Sequence, residues 1–476
     1  MKSWTFAALA ASTLLSLVSA TTVAAPWGQC GGDDSYKGTV CPEEYFCSSI
    51  NSYYSQCVKN GEKSPAEYDI HAHELFRRQA GFTPVTGARS GGIVQRRPIG
   101  LLQTAEPDVF NMFIWALYMM QQVSETDPLS YYQIAGIHGI PHIPWGEPAS
   151  PNQDSDYGYC THASVLFATW HRPYLALIEQ RISAHAVNEG RKFRGAQAGR
   201  WQAAAARVRL PYWDWAQDGS AIPAIIMRPT VTVTRPAAAG GQPQQVTIPN
   251  PLYQYRFTNT RLKAQHFGGL QAEAQYTLRQ PVDALTSENN EADQQMRANF
   301  AARRANTFNL FSIPNFSAFS SSAYVSGGDP NSWISIESIH NQVHASIGGS
   351  DDPLSGHMSF VDYSSFDPIF WFHHANVDRL TAMYQAARPG TGVTPQPATG
   401  VFGRRVQDGD VDDINTPLWP FRKATGGYFT SQDVTTAASI WDFGYAYPEV
   451  PTTYRGRPAA ELRAFVVARV NALYAP

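Results

Sequence analysis

The sequence predicts a mainly α chain: a central four-helix bundle with metal ligands in its core and long loops around it. A small disulfide-bound antiparallel β module precedes it at the N-terminus. Three observations carry this prediction. Histidines recur in helix-like stretches, twice at one-turn spacing or side by side. Four of the five cysteines crowd into the first 60 residues, and 33 prolines with 36 glycines leave much irregular chain.

A chain of 476 residues with 43% hydrophobic content can bury a large core beside a small accessory domain. The net charge of −3 and the lack of any basic stripe argue against nucleic acid or an anionic membrane as partner. The first residues, "MKSWTFAALAASTLLSLVSATTVAAP", place Lys2 before an apolar stretch. Small residues follow at Val18-Ser19-Ala20 and Val23-Ala24-Ala25. This is the pattern of a secretory signal over 1–20, with cleavage options up to residue 25, and it is too short for a membrane anchor. The expected location is extracellular, where disulfides persist.

The next stretch, "WGQCGGDDSYKGTVCPEEYFCSSINSYYSQCVKN", carries Cys30, Cys41, Cys47 and Cys57. So short a segment has no core of its own and needs cross-links; four cysteines allow three pairings. The expected domain covers 26–58, a polar and Gly-rich linker follows over 59–90, and the main domain fills 91–476.

The histidines lead to the chemistry. His138 stands in "YYQIAGIHGIPH", His162 in "CTHAS" and His171 in "TWHRPYLALIEQ". His340 and His344, in "IESIHNQVH", are one helical turn apart, so both rings reach one metal. His373 and His374 adjoin in "SFDPIFWFHHANVDRL". For the helix around His171, Thr169 is the expected N-cap, with Pro173 in the first turn. Six imidazoles without a carboxylate ligand suit zinc, nickel or copper.

Two resemblances sharpen this reading. The opening "WGQCGG" and the ending "NSYYSQC" resemble the fungal-type cellulose-binding module. That likeness implies Cys30–Cys47 and Cys41–Cys57 disulfides. It also implies a flat strip of Trp27, Tyr53 and Tyr54, with Asn51 and Gln56 as polar contacts to cellulose.

The segments "HASVLFATWHRPYLALIE" and "DPIFWFHHANVD" resemble the two copper signatures of the tyrosinase, catechol oxidase and haemocyanin family. "QIAGIHG", "LPYWDWA" and "FGYAYPE" extend the likeness. Ala168 is smaller than the usual residue, a matter of packing. The resemblance implies two copper ions in the bundle: His138, His162 and His171 on one, His340, His344 and His374 on the other. His373 is then a neighbour or a core residue, and His71, His73, His142, His185, His266 and His357 match no ligand position. Fungal members bond a cysteine to the second ligand, so Cys160-Thr161-His162 is expected to carry a thioether. The alternative is a free buried thiol.

The family implies dioxygen, phenols and catechols as partners and oxidation of o-diphenols to o-quinones; monophenol hydroxylation is a further, weaker expectation. Val361 would overhang the site and leave room. Glu337 and Asn341 would hold a water and assist phenol deprotonation. Ala345, after His344, differs from some strong monophenol hydroxylases. The chain ends 27 residues past Glu449, so a covering C-terminal domain is not expected. The alternatives are a dioxygen-binding protein or a catalytically silent wall-binding copper protein. Of the remaining motifs, "LPYWDWA" reads as core packing and "VTVTRPAAAGGQPQQVTI" as a hairpin. Asn315 sits in a glycosylation pattern. Arg77-Arg78 and Arg96-Arg97 are possible processing sites, and the second pair could instead brace "YAY".

Overall fold

The structure, a computed structural model, describes residues 22–23, 29–31, 39–51, 54–59, 82–146, 157–217, 219, 221–237, 241–324, 334–349, 354–398 and 409–476. The chain divides into two compact units, Met1–Glu74 and Leu75–Pro476. Among the described residues no helix is long and apolar enough to cross a membrane.

The small unit has the expected antiparallel sheet, built of three strands. Its strand Tyr54–Lys59 lies between Gln29–Gly31 and Tyr45–Asn51. A disulfide joins Cys41 to Cys57, and Cys47 is also disulfide-bonded. Trp27 and Tyr53 lie outside the described residues, as do His71, His73 and Arg77-Arg78. Asn51, Tyr54 and Gln56 are placed on the strands by their backbone.

In the large unit six helices form or flank the histidine-bearing core: α1 (Pro107–Gln121), α2 (Tyr131–Gly136), α3 (Phe167–Gly190), α4 (Ile336–Gly348), α5 (Ile369–Ala387) and α6 (Ala459–Tyr474). Helix α1 starts with Pro107 at its first position and Asp108 in its first turn, both suited to a helix N-terminus. Helix α4 opens with a capping box in which Ser335 and Ser338 each accept the other's backbone N–H at 3.0 Å. All nineteen residues of α5 are buried, which makes it the central helix of the bundle. Helix α3 packs on α1 and α5, α4 packs on α5, and Phe113 of α1 meets Phe372 of α5 edge-on at 6.1 Å.

Two details of α3 differ from expectation. The helix begins at Phe167, two residues before Thr169, and Leu166 stands at the cap position without a side-chain bond. Thr169 is inside, where its hydroxyl lies 3.0 Å from the Leu166 carbonyl and 2.8 Å from Ser431 Oγ. Pro173 therefore sits beyond the first turn and leaves one helical carbonyl without its partner. Tertiary packing sets this start: Phe167 is fully buried, 4.7 Å from the His171 ring and 4.8 Å from the His340 ring.

The packed chain also begins earlier than residue 91. Val85 is buried and donates its N–H to the Arg422 carbonyl at 2.8 Å. The Gln180 side-chain oxygen collects the N–H groups of Thr86 and Gly87 at 2.8 and 3.1 Å. These bonds tie down residues that composition alone assigns to the linker, because polar, Gly-rich sequence marks irregular backbone whether or not it is packed.

Three further expectations hold. Arg96 braces the "YAY" motif, with its guanidinium 3.5 Å from the Tyr445 ring centre and a 2.7 Å bond to Tyr447 Oη. Leu210, Tyr212, Trp213 and Trp215 are core residues. Thr230–Arg235 pairs antiparallel with Gln244–Pro249, and the Asn111 side chain of α1 bonds both the N–H and the carbonyl of Thr234. The Asn315 side chain caps the helix Phe316–Ser320 by accepting from Ser317 N at 2.7 Å.

Candidate metal centre

The six predicted histidines converge, although two of them are not on helices. His138 lies just past α2 and His162 in the irregular segment before α3. The His138 turn is squeezed against its neighbours, since a Cβ on Gly158 would stand 2.2 Å from the His138 carbonyl oxygen. After His162 the chain turns sharply, with Ala163 at φ +54°. That costly backbone is held by Glu337 Oε1, which accepts the Ala163 N–H at 2.6 Å. His171 projects from α3, His340 and His344 from one face of α4, and His374 from α5.

Carbonyl oxygens orient four of the rings through Nδ1. His138 donates to Val361 O at 2.8 Å, His171 to Phe167 O at 2.7 Å, His344 to Met358 O at 2.6 Å and His340 to Asn341 Oδ1 at 2.9 Å. An acceptor at Nδ1 demands the proton there, so Nε2 keeps its lone pair, the form a metal needs. Two donor groups result, each with all its ligand atoms within 4.8 Å: His138, Cys160, His162 and His171, and His340, His344, His373 and His374. The groups adjoin, for His171 stacks on His374 with ring centres 4.4 Å apart.

The residues fit a metal pair on three counts. Nε2 of His138 is buried without a hydrogen-bond partner among the described residues. His374 Nε2 lies 3.1 Å from His340 Nε2 and 3.4 Å from His344 Nε2, an approach that calls for a cation or proton among them. Burial, reinforced at several rings by neighbouring imidazoles, holds all six rings below their usual pKa: His171 to about 3, His344 to about 4 and the other four well below 6.5. All six are neutral at physiological pH. His373 is also buried, stacked on His340 at 4.9 Å, with both ring nitrogens unpaired among the described residues.

Cys160 is the fifth cysteine. Its thiol is buried and stands 3.5 Å from both His162 Nε2 and His171 Nε2. Burial pushes its pKa well up, helped by the nearby Glu337. Glu337 itself is buried in the first turn of α4; beside Ala163, it takes the N–H and hydroxyl of Ser322 on Oε2, at 2.7 and 2.9 Å. Burial raises its carboxyl to about 7 against those three donors. Asn341 is exposed, and Val361 keeps 39% of its surface accessible. His142 pairs with Asp362 at 3.0 Å, and His357 accepts the Leu278 N–H, away from the ligand set. Sequence reasoning did not find Ser322, Phe167 or Met358: their contribution to the site is made chiefly by backbone groups, which every residue possesses.

Two adjoining clusters of neutral imidazoles inside a helical bundle define a dinuclear metalloprotein. Residues 128–387 match the common central domain of tyrosinase, and residues 26–54 match the fungal cellulose binding domain. The chain belongs to the tyrosinase family, which has a dinuclear copper centre, and the two clusters are groups that could hold its metal ions. It is 35% identical to a tyrosinase of Podospora anserina over 407 residues, which cover 82% of this chain and 68% of that one. A Neurospora crassa tyrosinase is 34% identical over 411 residues, covering 82% and 57%. The chain thus spans between about half and two thirds of these relatives' length. Among solved structures, one of latent and active mushroom tyrosinase superposes with a TM-score of 0.73 at 28% identity, over 83% of this chain and 99% of that one. A copper-bound active tyrosinase variant from Aspergillus oryzae, complexed with L-tyrosine, gives 0.67 at 26% identity, over 83% and 100%.

Proposed function

We propose that this chain is a secreted polyphenol oxidase that converts o-diphenols to o-quinones with dioxygen, and that its front module holds it on cellulose in plant cell walls. The single observation that supports this most is the paired imidazole site with an accessible side chain, Val361, on the residue that anchors His138. Bound copper supplies dioxygen binding and two-electron redox chemistry. In the balanced reaction two diphenols give up four electrons and four protons, and one dioxygen becomes two waters.

The chain's own residues fix the ligands and handle protons. Nδ1 anchors hold His138, His171, His340 and His344 with Nε2 free for metal. Glu337, near neutrality in pKa, has a spare lone pair on Oε1 besides the one facing Ala163, room for a water shared with Asn341. That pair would take the proton from an incoming phenol, which is the basis for monophenol hydroxylation as a second activity. Cys160 would join the His162 ring as a thioether: an S–C bond replaces S–H and C–H, and the two hydrogens leave with two electrons to dioxygen. The link would fix the ring of His162, whose Nδ1 lacks an anchor of the kind that holds His138, His171, His340 and His344.

The test is oxygen uptake by the copper-loaded protein with catechol, then with a matched monophenol. Sustained uptake with catechol supports the oxidase, and uptake with both adds hydroxylation. Reversible binding of dioxygen without turnover would establish a carrier instead.

A further inference from the structure

A cleft of about 300 Å³ in the large unit is not lined by any copper ligand. It lies where the C-terminal end of α1 meets the base of the 230–249 hairpin and the segment 253–258. Four tyrosines line it: Tyr118, Tyr253, Tyr255 and Tyr276. Four uncharged amides do as well, Gln121, Gln122, Asn250 and Gln254. Arg256 is the one charged residue of the lining, and it is exposed.

The rings are fixed from behind. Tyr255 Oη donates to the buried Glu125 at 2.7 Å, and Tyr253 Oη accepts from Asn289 at 3.2 Å. Tyr118 stacks on Trp115 with ring centres 5.6 Å apart. The backbone of Tyr276, though not its ring, is paired across a short antiparallel bridge with Arg256. Asn250 and Gln121 are spent on backbone carbonyls. By contrast the hydroxyls of Tyr118 and Tyr276 and the side-chain amides of Gln122 and Gln254 make no hydrogen bond among the described residues. Each amide offers both donors and an acceptor.

We infer that this cleft binds a neutral pyranoside, a β-linked glucan fragment of one or two sugar units held at a time. A pyranose has C–H faces that lie flat on aromatic rings, and a ring of hydroxyls that both donate and accept. Partly buried rings interleaved with free amides answer both demands. The volume stands at the lower limit for small-molecule sites, which limits the number of sugars inside. A simple phenol would engage one or two of the free polar groups and leave the rest unused. An aromatic acid would depend on Arg256, a solvated charge at the edge. The glucan assignment draws on the match of residues 26–54 to a cellulose-binding domain, which places such chains near the protein. It does not depend on the oxidase reading.

The experiment is saturation-transfer NMR with cellotetraose on the full-length, copper-loaded chain. The front module is silenced by Trp27→Ala, Tyr53→Ala and Tyr54→Ala. Transfer to the sugar should persist in this background and fall several-fold on adding Tyr276→Ala with Gln254→Ala, while the thermal midpoint and catechol oxidation stay unchanged. Should that variant misfold, Gln122→Ala at an exposed position must still weaken the signal. Absence of transfer in the module-silenced chain, or transfer indifferent to the cleft substitutions, overturns the proposal. So does displacement of the sugar by 4-hydroxybenzoate with loss of that effect in Arg256→Ala, which would make the cleft a site for aromatic acids.

Discussion

Arg172, the residue after the predicted ligand His171, lies with its Nε 2.6 Å from Oδ1 of Asp378, four residues past the predicted ligand His374. The pair joins the two helices that face each other across the copper seats, and both side chains are buried. Arg96 Nη1 and the hydroxyls of Tyr445 and Tyr447 reach the other oxygen of Asp378. Asp378→Asn leaves two buried guanidiniums undercompensated. It should cost about 3 kcal/mol or more in chemical denaturation and weaken copper retention at both seats. Burial alone would raise the Asp378 carboxyl, but Arg172 and Arg96 outweigh it and hold it below its usual value. The carboxylate's stabilisation is thus complete above its unfolded pKa and lost as pH falls through the lower folded one. The variant should show a shallower acid limb; equal limbs would refute the assignment.

Glu337 works in the opposite sense. Its folded pKa is raised from 4.5 to about 7, so its contribution is complete below 4.5 and is lost as pH climbs through 7. The whole shift corresponds to roughly 3 kcal/mol. The buried imidazoles slope the other way, with folded pKa values below 6.5, but they do so in wild type and variant alike. The difference in stability between copper-free wild type and Glu337→Gln should therefore move in favour of the variant between pH 4.5 and 7. A difference independent of pH would mean that the carboxyl does not titrate there.

Metal content separates the adjacent histidines of α5. His374→Ala should halve the copper bound per chain by elemental analysis. His373→Gln should keep both ions, with the thermal midpoint lowered by lost packing against His340. Equal losses in the two variants would make His373 a ligand.

Cys160 reports on itself by mass. After copper loading in air, the peptides carrying Cys160 and His162 should be short of two hydrogens and unreactive to thiol alkylation. In Cys160→Ser the deficit disappears. Full alkylation of the loaded wild type would remove the thioether.

Val361→Phe tests access. The larger side chain should raise KM several-fold for bulky catechols and leave kcat for catechol itself little changed. A uniform fall in kcat would show that the change disturbs the His138 anchor instead.

The convergence of most of these histidines was legible because a metal site would impose spacing on sequence: His340 and His344 at one turn, His374 inside an apolar helix. The four clustered cysteines announced the front module for a similar reason. The start of α3 was not legible, since Phe167 joins the helix through its packing against His171 and His340, which no local propensity records. Nor was the end of the linker, where Gln180 captures the backbone of Thr86 and Gly87 from 93 or more residues away. The role of Glu337 was half legible: its place one turn before His340 was plain, but its grip on the Ala163 turn depends on two segments meeting in space.

Val361 gives its carbonyl to His138 and its side chain to the accessible surface. The two duties sit on one residue yet are separable, because a carbonyl is the same whatever side chain accompanies it. Phe167 and Met358 anchor His171 and His344 in the same manner. Selection can therefore exchange the exposed side chain without altering the backbone hold on the His138 ring. A lineage carrying this arrangement can change the surface beside the histidine cluster one substitution at a time while the ring anchors stay constant.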